Sequence, residues 1–92
     1  MQITEPCKLA KEISESALLH SALKDVLEEF AEATLKHGSF HSAHEGFTVL
    51  MEEVDELWDE VKCSNNTTNP LLLRNEAKQV AAMALRFMID LT

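Results

Sequence analysis

Between Ser42 and Lys62 the apolar residues recur with the period of an α-helix. Seven residues follow the spacing i, i+3, i+4, i+7 almost without interruption: Phe47, Leu50, Met51, Val54, Leu57, Trp58 and Val61. This spacing predicts an amphipathic helix with one apolar stripe. Ser42, followed three residues later by Glu45, forms the capping-box pattern that marks a helix start. The segment therefore commits the chain to a fold built around helices.

The region before Ser42 also has helical periodicity, from about Pro6 to His37. Gly38 ends it, because glycine readily takes the left-handed conformation found after the last turn of a helix. The region could form one long helix or two. We favour a weak break near Ser14–Ser21, where serine is frequent.

A third helix is predicted after the polar stretch Cys63–Asn69. Asn69 is a good helix cap, and Pro70 at the first helical position loses no hydrogen bond. The helix then runs through Leu71–Leu91, and its apolar residues cover much more than one stripe. A helix of this kind is buried on several sides, which in so short a chain indicates oligomerisation.

Composition agrees with a single all-α domain spanning residues 1–92. Hydrophobic residues make up 46% of the 92 residues, with two Gly, two Pro and no Tyr, which favours helices over strands and turns. A chain this short buries a limited share of its surface, so many such chains complete their core against another subunit. We predict a helical bundle that forms a homodimer or homotetramer.

The formal net charge of −8 limits the partners. It disfavours nucleic acid and anionic membranes, and suits a divalent cation that could in turn bind a polyphosphate. We see no signal peptide and no apolar run of about 18 residues that could span a membrane, so we expect a cytoplasmic protein. Cys7 and Cys63 lack a metal-binding spacing and are interpreted as reduced, structural thiols.

An acidic run follows the apolar stripe of the central helix. Six carboxylates fall within nine residues: Glu52, Glu53, Asp55, Glu56, Asp59 and Glu60. No lysine or arginine lies within the run, so the helix lacks the i, i+4 ion pairs typical of a solvated face. A plain solvated face is nevertheless one interpretation of this run.

Three of the acids in the chain are placed to converge. Glu53 lies at the edge of the apolar stripe beside Leu57, and Glu56 follows one turn later. Glu76 lies within the apolar arc of the third helix. Because a buried unpaired carboxylate is costly, it should acquire a cation or a proton. Three carboxylates from two facing helices would form the oxygen-rich site that Mg²⁺ prefers.

The residues Glu52-Glu53-Val54-Asp55-Glu56 form the pattern Glu-Glu-x-x-Glu, and Glu76-Ala77-Lys78-Gln79 follows after nineteen intervening residues. This pair of motifs resembles that of the MazG-like all-α NTP pyrophosphohydrolase superfamily, in which the second half reads Glu-x-x-Asp. The flanking segments 44–47 and 79–87 are also similar to MazG-related sequences. The resemblance covers about residues 37–91.

The resemblance implies a reaction and a set of ligands. The family hydrolyses NTP or dNTP between the α and β phosphates, giving NMP and pyrophosphate, with Mg²⁺ as cofactor (Mn²⁺ is possible). Carried over, the metal ligands are Glu53, Glu56, Glu76 and Gln79. Gln79 replaces the family's Asp, which removes one negative charge and should weaken metal binding. Glu52 or Glu53 would act as general base, and Asp90 could compensate for Gln79.

Substrate contacts are open to two interpretations. Lys78, Arg74 and Arg86 could hold phosphate oxygens, or each could form a structural ion pair with a nearby acid. Trp58 could be a packed core residue or a platform on which a base stacks. A zinc site formed by the histidines at 37, 41 and 44 is disfavoured, because Gly38 and the Ser42 cap place a break inside that segment.

We therefore expect an Mg²⁺-dependent nucleoside triphosphate pyrophosphohydrolase that removes non-standard nucleotides. The main alternative is a nucleotide- or metal-binding helical module that has lost catalysis, with Gln79 as the reason. A further alternative is a structural interaction protein whose acids only keep it soluble. No glycine-rich phosphate loop is present, which excludes a P-loop kinase or ATPase.

Overall fold

The computed structural model describes residues 6–63 and 69–92, without the side chains of residues 6–10, 13 and 14. These ranges contain three α-helices in the order α1 (Pro6–His37), α2 (Ala43–Lys62) and α3 (Pro70–Leu91), and no strand. The predictions of an all-α fold and of three helical regions are confirmed. The predicted polar loop falls mostly on residues 64–68, outside the described ranges. None of the described helices is long and apolar enough to cross a membrane.

The first helix is continuous, so the predicted break near Ser14–Ser21 is wrong. After Pro6 the segment contains neither Gly nor Pro up to His37. Serine lowers helix propensity only slightly, and the surrounding Ala, Leu, Glu and Lys are strong helix formers. Local serine content alone is therefore too weak to interrupt this helix.

The turn between α1 and α2 has the predicted chemistry. Gly38 takes a φ of 70°, and its N–H donates to the Thr34 carbonyl at 3.0 Å. The Ser42 hydroxyl accepts from the Glu45 N–H at 3.1 Å, which confirms the cap. The Glu45 carboxylate accepts from the His41 N–H at 2.7 Å. In a standard capping box it would accept from the N–H of the cap residue Ser42, so this bond is displaced by one residue. Both ends of the turn are thus fixed by local hydrogen bonds.

The start of α3 is also as predicted. The Asn69 side-chain oxygen accepts from the Leu71 N–H at 2.9 Å, and Pro70 occupies the first helical position.

Helix α3 is the central element, and it packs against both α1 and α2. In the described residues α1 and α2 do not pack against each other. The buried core is small and consists of Ala33, Phe40, Ala82 and Met83. Two ion pairs join α1 to α3: Arg74 to Asp25 at 2.9 Å and Lys78 to Glu29 at 3.8 Å.

The C-terminal half of α3 contacts the turn between α1 and α2. The buried Arg86 guanidinium donates to the Gly38 carbonyl and lies 4.3 Å from the centre of the Phe40 ring. The Asp90 carboxylate accepts from the Phe40 N–H at 2.9 Å. One cation and one anion of α3 therefore anchor the backbone that leads into α2.

The Trp58 side chain is 56% exposed in the single chain. The interpretation of Trp58 as a packed core residue is therefore wrong for the single chain. Its ring lies 5.8 Å from the Lys62 ammonium. The apolar stripe of α2 is wider than the surface that α3 covers, and Trp58 lies on the uncovered part.

Gly46 is a point of close approach between α2 and α3. A Cβ atom there would lie 2.8 Å from side-chain carbons of both Leu91 and Phe87. We predict that Gly46→Ala lowers the free energy of unfolding by about 1–3 kcal/mol through overpacking. Where nothing obstructs the new methyl group, a Gly→Ala change inside a helix raises the free energy of unfolding by about 0.5–1 kcal/mol. The sign of the change therefore distinguishes a crowded position from an open one.

Urea denaturation of Gly46→Ala, Leu91→Ala and the double variant measures this effect. The loss caused by Gly46→Ala should shrink in the Leu91→Ala background, because one of the two clashing groups is then absent. A Gly46→Ala variant more stable than the wild type would contradict the close packing of α2 on α3.

Candidate metal centre

A cleft of about 630 Å³ lies between α1 and α2, with α3 as its floor. Its walls carry many charged groups, and the anchored turn forms part of its lining. The polar lining residues are Glu29, Glu32, Lys36, His37, Ser39, His41, Glu45, Glu52, Glu53, Gln79 and Arg86. The cleft exists because the two outer helices both contact α3 and leave a gap between themselves.

Three carboxylates converge between α2 and α3. One oxygen each from Glu53, Glu56 and Glu76 lies within 4.8 Å of the other two. A Mg²⁺ ion about 2.1 Å from each ligand joins oxygens up to about 4.2 Å apart, so small side-chain movements would complete such a site. These are three of the four ligands that the motif resemblance implies.

Two of these carboxylates have buried oxygens without partners. The Oε2 atoms of Glu53 and Glu76 are inaccessible to solvent and accept no hydrogen bond. Leaving a carboxylate oxygen in this condition is unfavourable unless a cation or a proton compensates it. Exposed acidic clusters lack this feature, so the arrangement differs from a solvated acidic face.

The electrostatics of the cluster favour protons when no cation is bound. Burial, together with the charge of Glu56 and a hydrogen bond to it, raises the pKa of Glu53 to about 7. The carboxylates of Glu76 and Glu29 raise it further. Burial also raises the pKa of Glu76, followed by the charges of Glu56 and Glu60. Glu56 is thus the neighbour common to both half-buried acids.

The two remaining motif residues, Glu52 and Gln79, line the cleft but do not belong to the group of three carboxylates. Glu52 is exposed on the α2 wall. Gln79 is half-buried on the α3 floor, one turn after Glu76, and lines the same cleft as Glu53. An amide oxygen at this position can complete a Mg²⁺ site, but it adds no charge. Asp90, suggested as a substitute, instead accepts the Phe40 N–H.

The residues expected to bind substrate have other neighbours. Lys78 pairs with Glu29, and Arg74 pairs with Asp25. Both residues thus form a structural ion pair with a nearby acid, the second of the two interpretations given above. Arg86 lines the cleft, but it donates to the Gly38 carbonyl and to the Met83 sulfur at 3.4 Å. Its Nε remains buried without a partner.

Trp58 is not among the residues that line the cleft. Of the three carboxylates, Glu53 alone lines the cleft. The Trp58 side chain therefore lies away from the space in which a base could stack beside Glu53.

Sequence reasoning missed the contribution of α1. Glu29 lines the cleft, raises the pKa of Glu53 and holds Lys78. A signal was present, because Glu29 lies three residues after Val26 and four before Ala33, on the face that packs against α3. His37 and His41 line the cleft as well, but in the described residues no histidine joins the carboxylate group.

Comparisons with protein-family models, with curated proteins and with solved structures gave no match. The resemblance to the MazG-like superfamily therefore depends on the motif residues themselves.

The raised pKa values predict a pH-dependent stability. Unfolded Glu53 loses its proton near 4.5 and folded Glu53 near 7, so the folded chain binds more protons in this window. The stabilising effect of Glu53 is complete below pH 4.5 and should be lost as pH rises through about 7. Mg²⁺ should counteract the loss, because it binds the deprotonated carboxylates.

Thermal denaturation of the wild type and Glu53→Gln at pH 5 and pH 8 tests this. From pH 5 to pH 8 the melting temperature of the wild type should fall further than that of the variant. Adding Mg²⁺ at pH 8 should raise the melting temperature of the wild type only. Equal losses in both proteins would show that Glu53 titrates normally.

Proposed function

We propose that the chain is an Mg²⁺-dependent nucleoside triphosphate pyrophosphohydrolase. One observation carries the proposal: Glu53, Glu56 and Glu76 present oxygens within 4.8 Å of one another, two of these residues having buried, unpartnered oxygens. These are the acids that the motif resemblance assigns to the metal. The cleft of about 630 Å³ is within the usual size range of small-molecule sites.

Glu53, Glu56, Glu76 and Gln79 would hold the ion. When bound, Mg²⁺ neutralises phosphate charge and lowers the pKa of a coordinated water. Glu52, which is exposed on the cleft wall, would accept the proton of the attacking water as a general base. The water oxygen forms a bond to the α phosphorus, the bond to the α–β bridging oxygen breaks, and pyrophosphate leaves.

The cleft also has a cationic group for the rest of a nucleotide. Lys36 is exposed and lines it beside the anchored turn, where the imidazoles of His37 and His41 add hydrogen-bonding groups. The Lys36 ammonium offsets part of the negative charge of the walls, which would otherwise repel a triphosphate.

Gln79 favours a second candidate function. Without the fourth carboxylate the site carries one charge fewer than the family pattern, so the chain could bind nucleotide and metal without turning the nucleotide over. In that case the three acids keep their role as ligands and only the reaction is lost.

We also propose that the chain acts as a homo-oligomer, a homodimer or a homotetramer. Only four hydrophobic residues of the described part are buried, while many large apolar side chains are exposed. A single hydrophobic core of this size supplies little stability.

The reaction is tested by measuring pyrophosphate and orthophosphate separately, with canonical and modified NTPs and Mg²⁺ or Mn²⁺. We expect pyrophosphate release that falls at least about 100-fold in Glu53→Ala and Glu76→Ala, because each removes a metal ligand. Asp55→Ala is the matched control, since Asp55 is an exposed acid of the same helix outside the group of three. Absence of turnover across the panel would favour the binding-module function.

The metal site is tested separately by titrating Mn²⁺ into the wild type, Gln79→Asp and Gln79→Ala by calorimetry. Gln79→Asp should bind several-fold more tightly, because it adds a charged ligand oxygen, and Gln79→Ala more weakly. No difference among the three proteins would place Gln79 outside the coordination sphere.

A further inference from the structure

Arg86 is a buried cation that lines the cleft beside the turn between α1 and α2. Its side chain is only 2% exposed, and a guanidinium carries five N–H donors. One nitrogen donates to the Gly38 carbonyl, another donates to the Met83 sulfur at 3.4 Å, and Nε is buried without a partner. A carbonyl and a thioether are both neutral, so these contacts leave the positive charge of Arg86 without an anion beside it.

The other two cations of α3 have the kind of partner that Arg86 lacks. Arg74 and Lys78 each pair with a carboxylate of α1. In the described part of the chain, none of the ion pairs includes Arg86. Asp90 lies one turn beyond Arg86, but its carboxylate accepts a backbone N–H of the turn instead. Because a buried charge is costly unless an opposite charge compensates it, the position of Arg86 favours an anion bound in the cleft.

The same end of the cleft has further groups for an anion. Lys36 is exposed on the α1 wall, and Ser39 adds a hydroxyl from the turn. Two acids, Glu32 and Glu45, line the cleft as well. One oxygen of Glu45 already accepts a backbone N–H of the turn at 2.7 Å. Lys36 is therefore the second cationic group, after Arg86, that an anion at this end of the cleft could contact.

This end of the cleft lies near the residues expected to hold the metal. The contact with the Met83 sulfur places the Arg86 guanidinium close to the level of Met83 on α3. Met83 follows Gln79 by four residues, which corresponds to about 6 Å along the helix axis. Gln79 and Glu53 line the same cleft as Arg86. A ligand with several anionic groups in a row could therefore contact both regions, and a polyphosphate chain is such a ligand.

We propose that Arg86 and Lys36 form a phosphate subsite, which binds the part of the triphosphate that leaves as pyrophosphate. The identity of this ligand rests on the function proposed above. A guanidinium binds phosphate oxygens through parallel N–H donors, and an anionic oxygen is a stronger acceptor than the sulfur that Arg86 contacts. The charge of Arg86 would also stabilise the negative charge that develops on the leaving pyrophosphate.

The experiment titrates inorganic pyrophosphate into the metal-free full chain and follows binding by the ³¹P NMR signal of the pyrophosphate. We expect saturable binding by the wild type at millimolar concentrations. The dissociation constant should be about two- to five-fold higher in Lys36→Gln, which loses one exposed charge. It should be about 10-fold higher or more in Arg86→Gln, which loses a charged donor. Arg86→Lys keeps the charge and should bind with an intermediate affinity.

Lys24→Gln is the matched control, because Lys24 is an exposed lysine of α1 that does not line the cleft. Its affinity for pyrophosphate should equal that of the wild type. Circular dichroism checks the fold of each variant, since Arg86 also contacts the turn. Lys36 is exposed, so Lys36→Gln keeps the test valid even if Arg86→Gln does not fold.

Absence of saturable binding by the wild type would overturn the phosphate subsite. An affinity unchanged in Lys36→Gln, or lowered equally in Lys24→Gln, would overturn it as well. The reaction is not involved in this measurement, because no metal is present. Pyrophosphate binding by a chain without NTP turnover would therefore support the subsite and contradict only the reaction, whereas turnover without pyrophosphate binding would contradict only the subsite.

Discussion

The close packing of α2 on α3 at Gly46 is the contact on which the candidate site depends. With no side chain at this position, Phe87 and Leu91 reach the backbone of α2. The two helices then run close together for further turns, which brings the acids of α2 to Glu76 on α3. A larger residue at 46 would separate the helices and with them the carboxylates. The position of the candidate metal centre thus depends on a packing contact two turns away.

Local features of this site could be predicted from the sequence, and long-range ones could not. The Ser42 and Asn69 caps depend on neighbours within three residues, so their roles follow directly from spacing. Glu53 could be singled out because it lies at the edge of an apolar stripe, and Glu76 because it lies within an apolar arc. The partners of Lys78 and the exposure of Trp58 could not be predicted, since they depend on which helices lie side by side. Periodicity shows that a face is apolar, but it does not show what covers that face.

The acidic cluster opposes the stability of the unliganded fold. Glu53 and Glu76 are half-buried near Glu56, each with one buried oxygen. The pKa of each is raised, which means that the folded chain disfavours their charged forms. Apolar residues at these positions would pack without this penalty. The cation proposed above would offset this penalty.

The gap between α1 and α2 gives the fold an unusual mechanical property. Because the backbones of α1 and α2 each lie close to α3 but not to each other, a rotation of α1 about α3 would change the width of the cleft. The ion pairs Asp25–Arg74 and Glu29–Lys78 oppose that rotation, and both are partly open to water. A molecule bound in the cleft would fill the gap between α1 and α2 and contact both walls. Occupancy would then oppose the rotation of α1, in addition to the ion pairs and to the turn that Arg86 and Asp90 anchor.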